Sequence, residues 1–333
     1  MASVPSHAPA PPTLLATILL AVMVVLPGCR DRSQSPGEPG VLRLGYLPNL
    51  THGQALTGVG SGRFEAALPG ITLETAVFAS GPQLVEALFA GEIDLAYLGP
   101  SPAMNAFVRS QGRALQLLAG SATGGSRFVV RRDSGIDAPA DLRGKRIGVP
   151  QIGNTQDVAM RSWLVKQGLA SVDRGGDVAV FPLANADILG LVQRKELDGA
   201  WVPEPWAARL IAEADCRTFV DESVASPKRP VTVLAARRAF AVAQPDLTRA
   251  FLTAHRSETR WHAEHPKAAE EAVGDAVYAL VGKRLPPAVL SDAFAHVVPT
   301  AELDPVELNN LALAAFAIGY LPSAEISGIV LTP

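Results

Sequence analysis

The stretch that decides the fold is Arg146-Ile147-Gly148-Val149-Pro150-Gln151-Ile152-Gly153-Asn154-Thr155-Gln156-Asp157. It has the pattern of a buried strand, a glycine-containing turn and the start of a helix. With Asn154 as the N-cap, Asp157 is the third helical residue. The backbone N–H groups of Thr155 and Gln156 then lack partners within the helix, and the helix dipole favours negative charge there. The stretch therefore predicts a site for a small anion, and its turn carries no cationic side chain.

This stretch has a counterpart about one hundred residues earlier. After 103 positions, Leu44-Gly45 recurs as Ile147-Gly148, Thr51 as Asn154 and Gln54 as Asp157. Further along, residues 92–98 recur as residues 196–202 after 104 positions. A repeat of this length predicts two βαβ halves of common pattern, and hence two similar α/β lobes with a cleft between them.

Composition and charge narrow the function. The chain has 333 residues, of which 48% are hydrophobic and 18% charged, so it can build two domains with proper cores. A formal net charge of −3 offers no basic surplus for nucleic acid. The sequence has no catalytic triad spacing, phosphate-binding loop or dinucleotide fingerprint, and we expect no cofactor.

The first residues have the pattern of a secretion signal. Residues 13–27 form an apolar run that is too short to span a membrane comfortably and ends at Leu26-Pro27-Gly28-Cys29. This resembles a bacterial lipoprotein signal, in which the signal peptide is residues 1–28 and Cys29 becomes the lipidated first residue. An uncleaved anchor is the alternative. Residues 29–40 are low in apolar side chains and predict a flexible tether. Cys216 then has no partner, and we expect it to be a small buried hydrophobe.

Strands alternate with helices along the rest of the chain, which predicts parallel βαβ units. The predicted strands are residues 41–47, 71–78, 93–98, 115–119, 128–132, 146–149, 178–181, 197–202 and 231–235. The flexible composition of residues 120–126 predicts the first crossing between lobes. We assign residues 41–124 and 229–333 to lobe 1 and residues 125–228 to lobe 2. The part after Ala239 is predicted to be helical, with stops at Pro266, Gly282, Pro286-Pro287 and Pro299.

Further helix starts are predicted near the same side of the fold. Thr51 with Gln54 and Ser80 with Gln83 have the spacing of capping boxes. Ser101 is a good N-cap, because Pro102 is favoured at the first helical position.

Three motifs indicate a family. They are Gly45-Tyr46-Leu47-Pro48-Asn49-Leu50-Thr51-His52, Gly153-Asn154-Thr155-Gln156-Asp157 and Trp201-Val202-Pro203-Glu204-Pro205-Trp206. Together they resemble the substrate-binding proteins of ABC importers, in the class that takes aliphatic sulfonates, taurine and nitrate. The resemblance implies a type II periplasmic-binding architecture, with two doubly wound α/β lobes joined by two hinge crossings and a C-terminal helical extension on lobe 1. It also implies a monomer whose lobes close on the ligand and then dock on a membrane permease.

The candidate ligand-binding residues follow from the helix starts and these motifs. They are Asn49, Thr51, His52, Tyr97, Ser101, Thr123, Asn154, Thr155, Gln156, Trp201 and Glu204. The helix-start residues are alternatively ordinary caps, and Thr123 is a hinge residue first and a ligand donor second. Tyr97 and Trp201 either pack in the core or line the cleft as apolar walls for an organic tail. Glu204 pairs with a cationic ligand group, with Arg127 or with water.

One cluster suggests a metal site. His255, Glu258 and His262 lie on one helical face by spacing. The interleaved Arg256 and Arg260 and the lack of further ligands in phase favour a solvated helix face instead, so we expect no metal.

These observations predict a lipid-anchored, non-enzymatic receptor at the periplasmic or outer face of a membrane. We expect it to capture a small oxyanion, with an aliphatic sulfonate first, through uncharged donors, and to deliver it to an ABC importer. Alternative ligands are nitrate, taurine or a thiamine-pyrimidine precursor. The alternative class is an enzyme like the thiamine-pyrimidine synthases, which share the fold; such an enzyme would be intracellular and would carry its own catalytic His and Cys.

Overall fold

A computed structural model describes residues 1–2, 37 and 39–331. The predicted signal peptide, the lipidation site Cys29 and most of the predicted tether lie outside the described residues.

Eleven strands are present in the described part of the chain. They are β1 (Val41–Tyr46), β2 (Thr72–Val77), β3 (Leu95–Leu98), β4 (Leu115–Gly124), β5 (Ser126–Arg131), β6 (Arg146–Val149), β7 (Ala179–Pro182), β8 (Gly199–Pro203), β9 (Cys216–Asp221), β10 (Pro230–Arg237) and β11 (Val297–Pro299). The sequence did not predict β9 and β11.

Thirteen α-helices accompany these strands in the same described ranges. They are α1 (Gly53–Gly60), α2 (Arg63–Ala67), α3 (Gly81–Ala90), α4 (Pro100–Arg109), α5 (Thr155–Lys166), α6 (Asn185–Gln193), α7 (Trp206–Glu213), α8 (Glu222–Ala225), α9 (Arg238–Ala243), α10 (Pro245–Glu264), α11 (Pro266–Val281), α12 (Pro287–Ala295) and α13 (Pro305–Ala317). Short 3₁₀ helices are Leu50–His52, Pro139–Leu142 and Val172–Arg174.

The strands form two sheets. The first has the order β11-β4-β10-β3-β1-β2 and the second the order β7-β6-β8-β5-β9. In each sheet a parallel triplet, β2-β1-β3 or β7-β6-β8, is followed by an antiparallel strand, β10 or β5. The α/β fold class with two sheets is thus confirmed, and the predicted parallel βαβ units are these triplets.

The strand register repeats the offset seen in the sequence. Leu44 pairs with Leu95 in the first sheet, and Ile147 pairs with Gly199 in the second. The next pairs along are Gly45 with Ala96 and Gly148 with Ala200. All four positions of the second sheet lie 103 or 104 residues after those of the first, so the repeat is a repeat of structure.

A buried carboxylate ties the strands together in each sheet. Asp94 Oδ2 accepts a hydrogen bond from Arg43 N at 3.1 Å, and Asp198 Oδ2 accepts one from Arg146 N at 2.8 Å. An arginine of the antiparallel neighbour also pairs with each carboxylate: Arg237 with Asp94 at 2.7 Å and Arg131 with Asp198 at 3.4 Å. The same carboxylate–arginine arrangement therefore stabilises both sheets, just before β3 in the first and just before β8 in the second.

The first crossing between the sheets is shorter and more regular than its composition predicts. β4 runs on to Gly124 and β5 begins at Ser126, so only Gly125 separates them. Gly124 and Gly125 have φ values of 64° and 65°, a region that suits glycine. The glycines thus make a sharp turn, and the residues before them are ordered strand. The second crossing is residues 222–229.

The C-terminal helix contacts helices of both sheets. α13 packs against α4 beside the first sheet and against α5 beside the second. Tyr320, which follows α13, donates from its hydroxyl to the carbonyl oxygen of Gly153 at 2.9 Å. The predicted C-terminal extension therefore reaches across to the turn before α5.

Three of the predicted capping arrangements are wrong. Ser80 is the N-cap of α3, but its side chain makes no capping bond, and Gln83 Oε1 accepts from Ala79 N. Thr51 and Gln54 do not form a capping box, because Asn49 is the N-cap and Gln54 Nε2 donates to Ser121 O at 2.7 Å. Ser101 is the second residue of α4, whose N-cap is Gly99. Long-range partners and the turn after β3 thus override these local signals.

The solvated face predicted for α10 is also wrong. His255, Glu258 and His262 are buried against the first sheet and α1. His255 Nδ1 lies 2.8 Å from Tyr97 Oη, and Thr57 Oγ1 donates to Glu258 Oε1 at 2.5 Å. Within the described residues, no cluster of three or more His, Cys, Asp or Glu side chains could hold a metal ion.

The buried histidines predict a loss of stability in acid. Burial lowers the pKa of His255 and of His262 to about 4. Each stays neutral in the folded protein while its unfolded counterpart binds a proton below about pH 6.5. Their stabilising contribution is thus complete above that pH and is lost as pH falls toward 4. We expect His262→Gln to make the unfolding free energy fall less steeply between pH 6.5 and 4.5, by about 1.4 kcal/mol per pH unit.

Urea unfolding at a series of pH values measures this slope. His265→Gln, at the exposed end of the same helix, is the matched control and should keep the wild-type slope. Equal slopes for wild type and His262→Gln would contradict the prediction.

Candidate functional site

Helix starts from both sheets meet at one cleft. A cavity of about 50 Å³ is lined by the turn before α1 and by residues at the starts of α3, α4, α5 and α6. From the first sheet these include Asn49, Thr51, His52, Gly81 and Gly99; from the second they include Asn154, Thr155, Gln156 and Asn185. Because helix starts present unpaired backbone N–H groups and the positive end of the dipole, the cleft favours an anion.

A larger cavity adjoins this inner cavity on its outer side. It measures about 590 Å³ and shares Ala79, Pro150, Asn154 and Asn185 with the inner one. The inner cavity has room for a compact head group of a few atoms, since a water needs about 10–15 Å³ on the same measure. The outer cavity can take an organic portion attached to that head.

A chain of hydroxyl groups orients Asn49. Thr232 Oγ1 donates to Thr51 Oγ1 at 2.9 Å, and Thr51 Oγ1 donates to Asn49 Oδ1 at 2.7 Å. The backbone N–H of Thr51 donates to the same Oδ1 at 3.2 Å. The hydroxyl proton of Thr51 is thus used within the protein, and the side-chain NH₂ of Asn49 is the donor left for a ligand. Thr51 is therefore a positioning residue.

His52 contributes a neutral donor. Burial lowers its pKa to about 3, so the ring carries no charge at neutral pH. Its Nδ1 lies 3.3 Å from the backbone nitrogen of Leu47 and accepts that N–H. The single ring proton is therefore on Nε2, which makes Nε2–H the donor that this side chain can offer.

Three buried polar atoms at the cleft have no hydrogen-bond partner in the protein. They are Thr155 Oγ1, Ser80 Oγ and Asn185 Oδ1. Thr155 lines the inner cavity, Ser80 the outer cavity and Asn185 both. A buried polar group without a partner costs about 1–3 kcal/mol, so a cluster of three in one place indicates groups that bind a ligand. The hydroxyls of Thr155 and Ser80 can donate to an anion, whereas Asn185 Oδ1 can only accept.

Asn154 is also available to a ligand. It is the N-cap of α5, as predicted, but its side chain makes no capping bond. Asp157 instead accepts from Gly153 N at 2.9 Å with Oδ2 and from Arg161 Nε at 2.7 Å with Oδ1. The Asp157 carboxylate thereby stabilises the turn before α5. The Asn154 amide lines both the inner and the outer cavity.

Two glycines let the helix starts of the two sheets touch. A Cβ on Gly99 would lie 2.2 Å from Thr155 Oγ1, and one on Gly81 would lie 3.3 Å from Asn154 Oδ1. A side chain at Gly99 would push the two halves of the cleft apart.

Neither the inner nor the outer cavity is lined by five of the predicted site residues, which are Tyr97, Ser101, Thr123, Trp201 and Glu204. Tyr97 is fully buried with its hydroxyl at His255, and Trp201 stacks on Phe128 with ring centroids 5.5 Å apart. Both therefore take the core role that was the alternative to an apolar wall. Ser101 and Thr123 are likewise buried outside the cleft.

Glu204 is paired within the protein. Its Oε1 accepts from Arg127 Nε at 2.5 Å and its Oε2 from Ala208 N at 3.1 Å. Of its three possible partners the structure thus shows Arg127, with the pair fully enclosed.

Sequence reasoning missed Asn185, Ser80 as a cleft residue, and Thr232. Asn185 lies 104 positions after Gly81, and each begins the helix that connects the second and third strands of its half, β2 to β3 or β7 to β8. The repeat could therefore have identified Asn185, whereas no local signal marks Thr232.

The protein has two sheets flanked by helices, the starts of these helices meet at a cleft, and two short crossings join the two sheets. This arrangement defines the type II periplasmic-binding fold. Residues 35–275 match the NMT1-like family, and the chain belongs to that family.

Named relatives are binding proteins. A Brucella abortus binding protein is 28% identical over 253 residues, which covers 68% of this chain and 76% of the relative. The taurine-binding periplasmic protein of Escherichia coli is 32% identical over 188 residues, or 55% of each chain. Among solved structures, the alkanesulfonate-binding protein of Xanthomonas axonopodis pv. citri, bound to MOPS, superposes with a TM-score of 0.74 at 22% identity, covering 89% of this chain and 99% of that one.

The unbonded hydroxyl of Thr155 predicts a variant that loses affinity without losing stability. Thr155→Ala removes a donor that makes no bond in the protein. We expect the affinity for an anionic ligand to fall about ten- to a hundredfold, since a hydrogen bond to a charged group contributes about 1.5–3 kcal/mol. The unfolding free energy of the free protein should change by less than about 1 kcal/mol.

Titration calorimetry and urea unfolding measure the two quantities. Thr155→Ser keeps the hydroxyl and should keep the affinity. Thr51→Val is the contrasting variant, because it breaks two internal hydrogen bonds and should lower stability as well. A Thr155→Ala protein that binds as tightly as wild type would show that this hydroxyl does not contact the ligand.

Proposed function

We propose that this protein is an extracytoplasmic solute-binding lipoprotein that captures an aliphatic sulfonate and delivers it to an ABC importer. The observation that carries the proposal is the cluster of unbonded, uncharged polar groups at converging helix starts. The residues that line the inner cavity, all of them described, include no Lys or Arg. Enclosed neutral donors can hold an anion strongly, because the low dielectric strengthens each hydrogen bond.

The cleft favours a monoanion with an organic tail. Without a cationic side chain, burial of a doubly charged anion costs more than burial of a single charge, which disfavours sulfate. No carboxylate side chain lines the inner or outer cavity in the described chain, which disfavours the ammonium group of taurine. Nitrate would fit the inner cavity and leave the outer one unused. An alkanesulfonate uses both.

The proposal takes the protein to be a receptor that catalyses no reaction. Its named relatives are binding proteins. Cys216 is buried, and burial raises the pKa of its thiol to about 12, so it is not poised as a nucleophile.

We further propose that two lobes close on the ligand, residues 41–124 and 229–333 against residues 125–228. The turn at Gly124-Gly125 and the crossing at 222–229 are the hinges. Support comes from Arg127, which lies just after the first hinge in residues 125–228. Its Nη2 donates at 2.7 Å to Asp292, which lies in residues 229–333, so the bond joins the two proposed lobes beside the hinge. The contact of Gly99 with Thr155 is then made only when the lobes are together.

A ligand panel tests the function. Titration calorimetry should show that ethanesulfonate and hexanesulfonate bind at least tenfold more tightly than sulfate, nitrate or taurine. Affinity should change little between low and high salt, because the donors are neutral and enclosed. Asn154→Ala should weaken sulfonate binding about ten- to a hundredfold with little loss of stability, since its amide makes no capping bond. Preferential binding of nitrate, or a steep salt dependence, would refute the sulfonate assignment.

Lipid anchoring at Cys29 is a separate proposal. Within residues 1–2, 37 and 39–331, none of the helices has both the length and the hydropathy to cross a membrane. We expect full-length wild type to fractionate with membranes and to incorporate labelled fatty acid, and Cys29→Ser to be released in folded form. Cys216→Ser is the control and should stay in the membrane fraction. A Cys29→Ser protein that remains in the membrane fraction would rule out this anchor.

A further inference from the structure

A second enclosed cavity lies away from the cleft. It measures about 190 Å³ and is formed by α5, β8, the segment after β9 and α13. None of the residues that line it also lines the inner or outer cavity of the cleft. Its walls are mainly apolar, with the rings of Trp163 and Trp201 meeting edge to face at 6.3 Å.

The cavity contains a carboxylate with an unused oxygen. Glu222 is 5% exposed, and its Oε1 is buried without a hydrogen-bond partner in the protein. The neighbouring Asp221 is already occupied, since it caps α8 through Ser223 N and contacts His296 Nδ1 at 2.8 Å. Glu222 is therefore the acceptor that faces this cavity.

The cations near the cavity make no direct ion pair with Glu222, although Arg229 acts on it electrostatically and has a buried Nε without a hydrogen-bond partner. Arg229 lines the cavity, and its nearest ion-pair partner is Glu307 on α13 at 3.8 Å. Lys166 lines the cavity from an exposed position. Within the described chain, no ion pair reaches the carboxylate of Glu222 within 4.0 Å. Glu222 Oε1 is thus a buried acceptor without a hydrogen-bond donor, which favours a ligand that brings a donor group.

We propose that this cavity binds a small primary amine with a single ring or a short alkyl chain, whose ammonium group donates to Glu222. A cavity of about 150 Å³ is large enough for benzene, so about 190 Å³ suits one ring and one amino group. The side chains of Trp163 and Trp201 line the cavity and can pack against the ring or alkyl chain. The site shares no lining residue with the sulfonate cleft, and like the cleft it lies between the two proposed lobes.

The charge of Glu222 gives the site a pH dependence. Burial raises the pKa of its carboxyl to about 7, with Arg229 and the indole N–H of Trp201 opposing the rise and Asp221 adding to it. Lys166 and the Arg229–Glu307 pair are the other charged groups at the cavity. An amine that pairs with the carboxylate should therefore bind about tenfold more tightly at pH 8 than at pH 6, where the carboxyl is mostly protonated.

Benzylamine is the probe, and titration calorimetry with tryptophan fluorescence is the measurement on the full chain. We expect one saturable site, at least tenfold weaker binding of benzyl alcohol and benzoate, and at least tenfold weaker benzylamine binding in Glu222→Gln. Glu86→Gln, an exposed glutamate on α3, is the matched control and should bind as wild type does.

A second variant keeps the test valid if Glu222→Gln does not fold. Ala314→Leu fills the cavity from α13 and should abolish benzylamine binding while the protein still folds and binds alkanesulfonate. Benzylamine binding that survives both substitutions, or benzoate binding as tight as that of benzylamine, would overturn the proposal. Loss of alkanesulfonate binding with benzylamine binding intact would count against the cleft assignment alone.

Discussion

The constraint on which the rest of the structure depends is the close approach of helix starts from two sheets, which the proposed function explains by the need to enclose an anion without a cationic side chain. Such a site must gather many weak neutral donors at one point, and a single helix start supplies too few. Two sheets must therefore aim their helix starts at each other and approach closely. Gly99 is the place where this is most visible, since any side chain there would collide with Thr155.

The charged groups are placed at the other end of the strands. Asp94 and Asp198 precede β3 and β8, and each binds an arginine backbone and an arginine side chain of neighbouring strands. Arg127 and Glu204 lie at the carboxyl end of β8, but they pair with each other beside the crossing. Ion pairing thus holds strands and hinge together, and uncharged groups line the cavities of the cleft, where ligands of open α/β sheets bind.

Sequence reasoning succeeded where the decisive interactions are local. The strand, turn and helix around Asn154 follow from short-range pattern and capping chemistry, and the repeat located the matching turn at Asn49. It failed where a distant element supplies the partner. Thr51 accepts a hydrogen bond from Thr232 on β10, and His255 is buried against Tyr97 of β3. No window of sequence contains those pairs.

The cleft and the proposed amine site use opposite chemistry, yet they share one helix. Thr155 in the first turn of α5 lines the cleft, and Trp163 two turns later lines the second cavity. α13, which packs on α5, closes that cavity from the side of the first sheet. A ligand in either site thus fixes α5 relative to the other half of the protein. Any influence of one ligand on the affinity of the other must then be equal in both directions, because coupling between two binding sites is reciprocal.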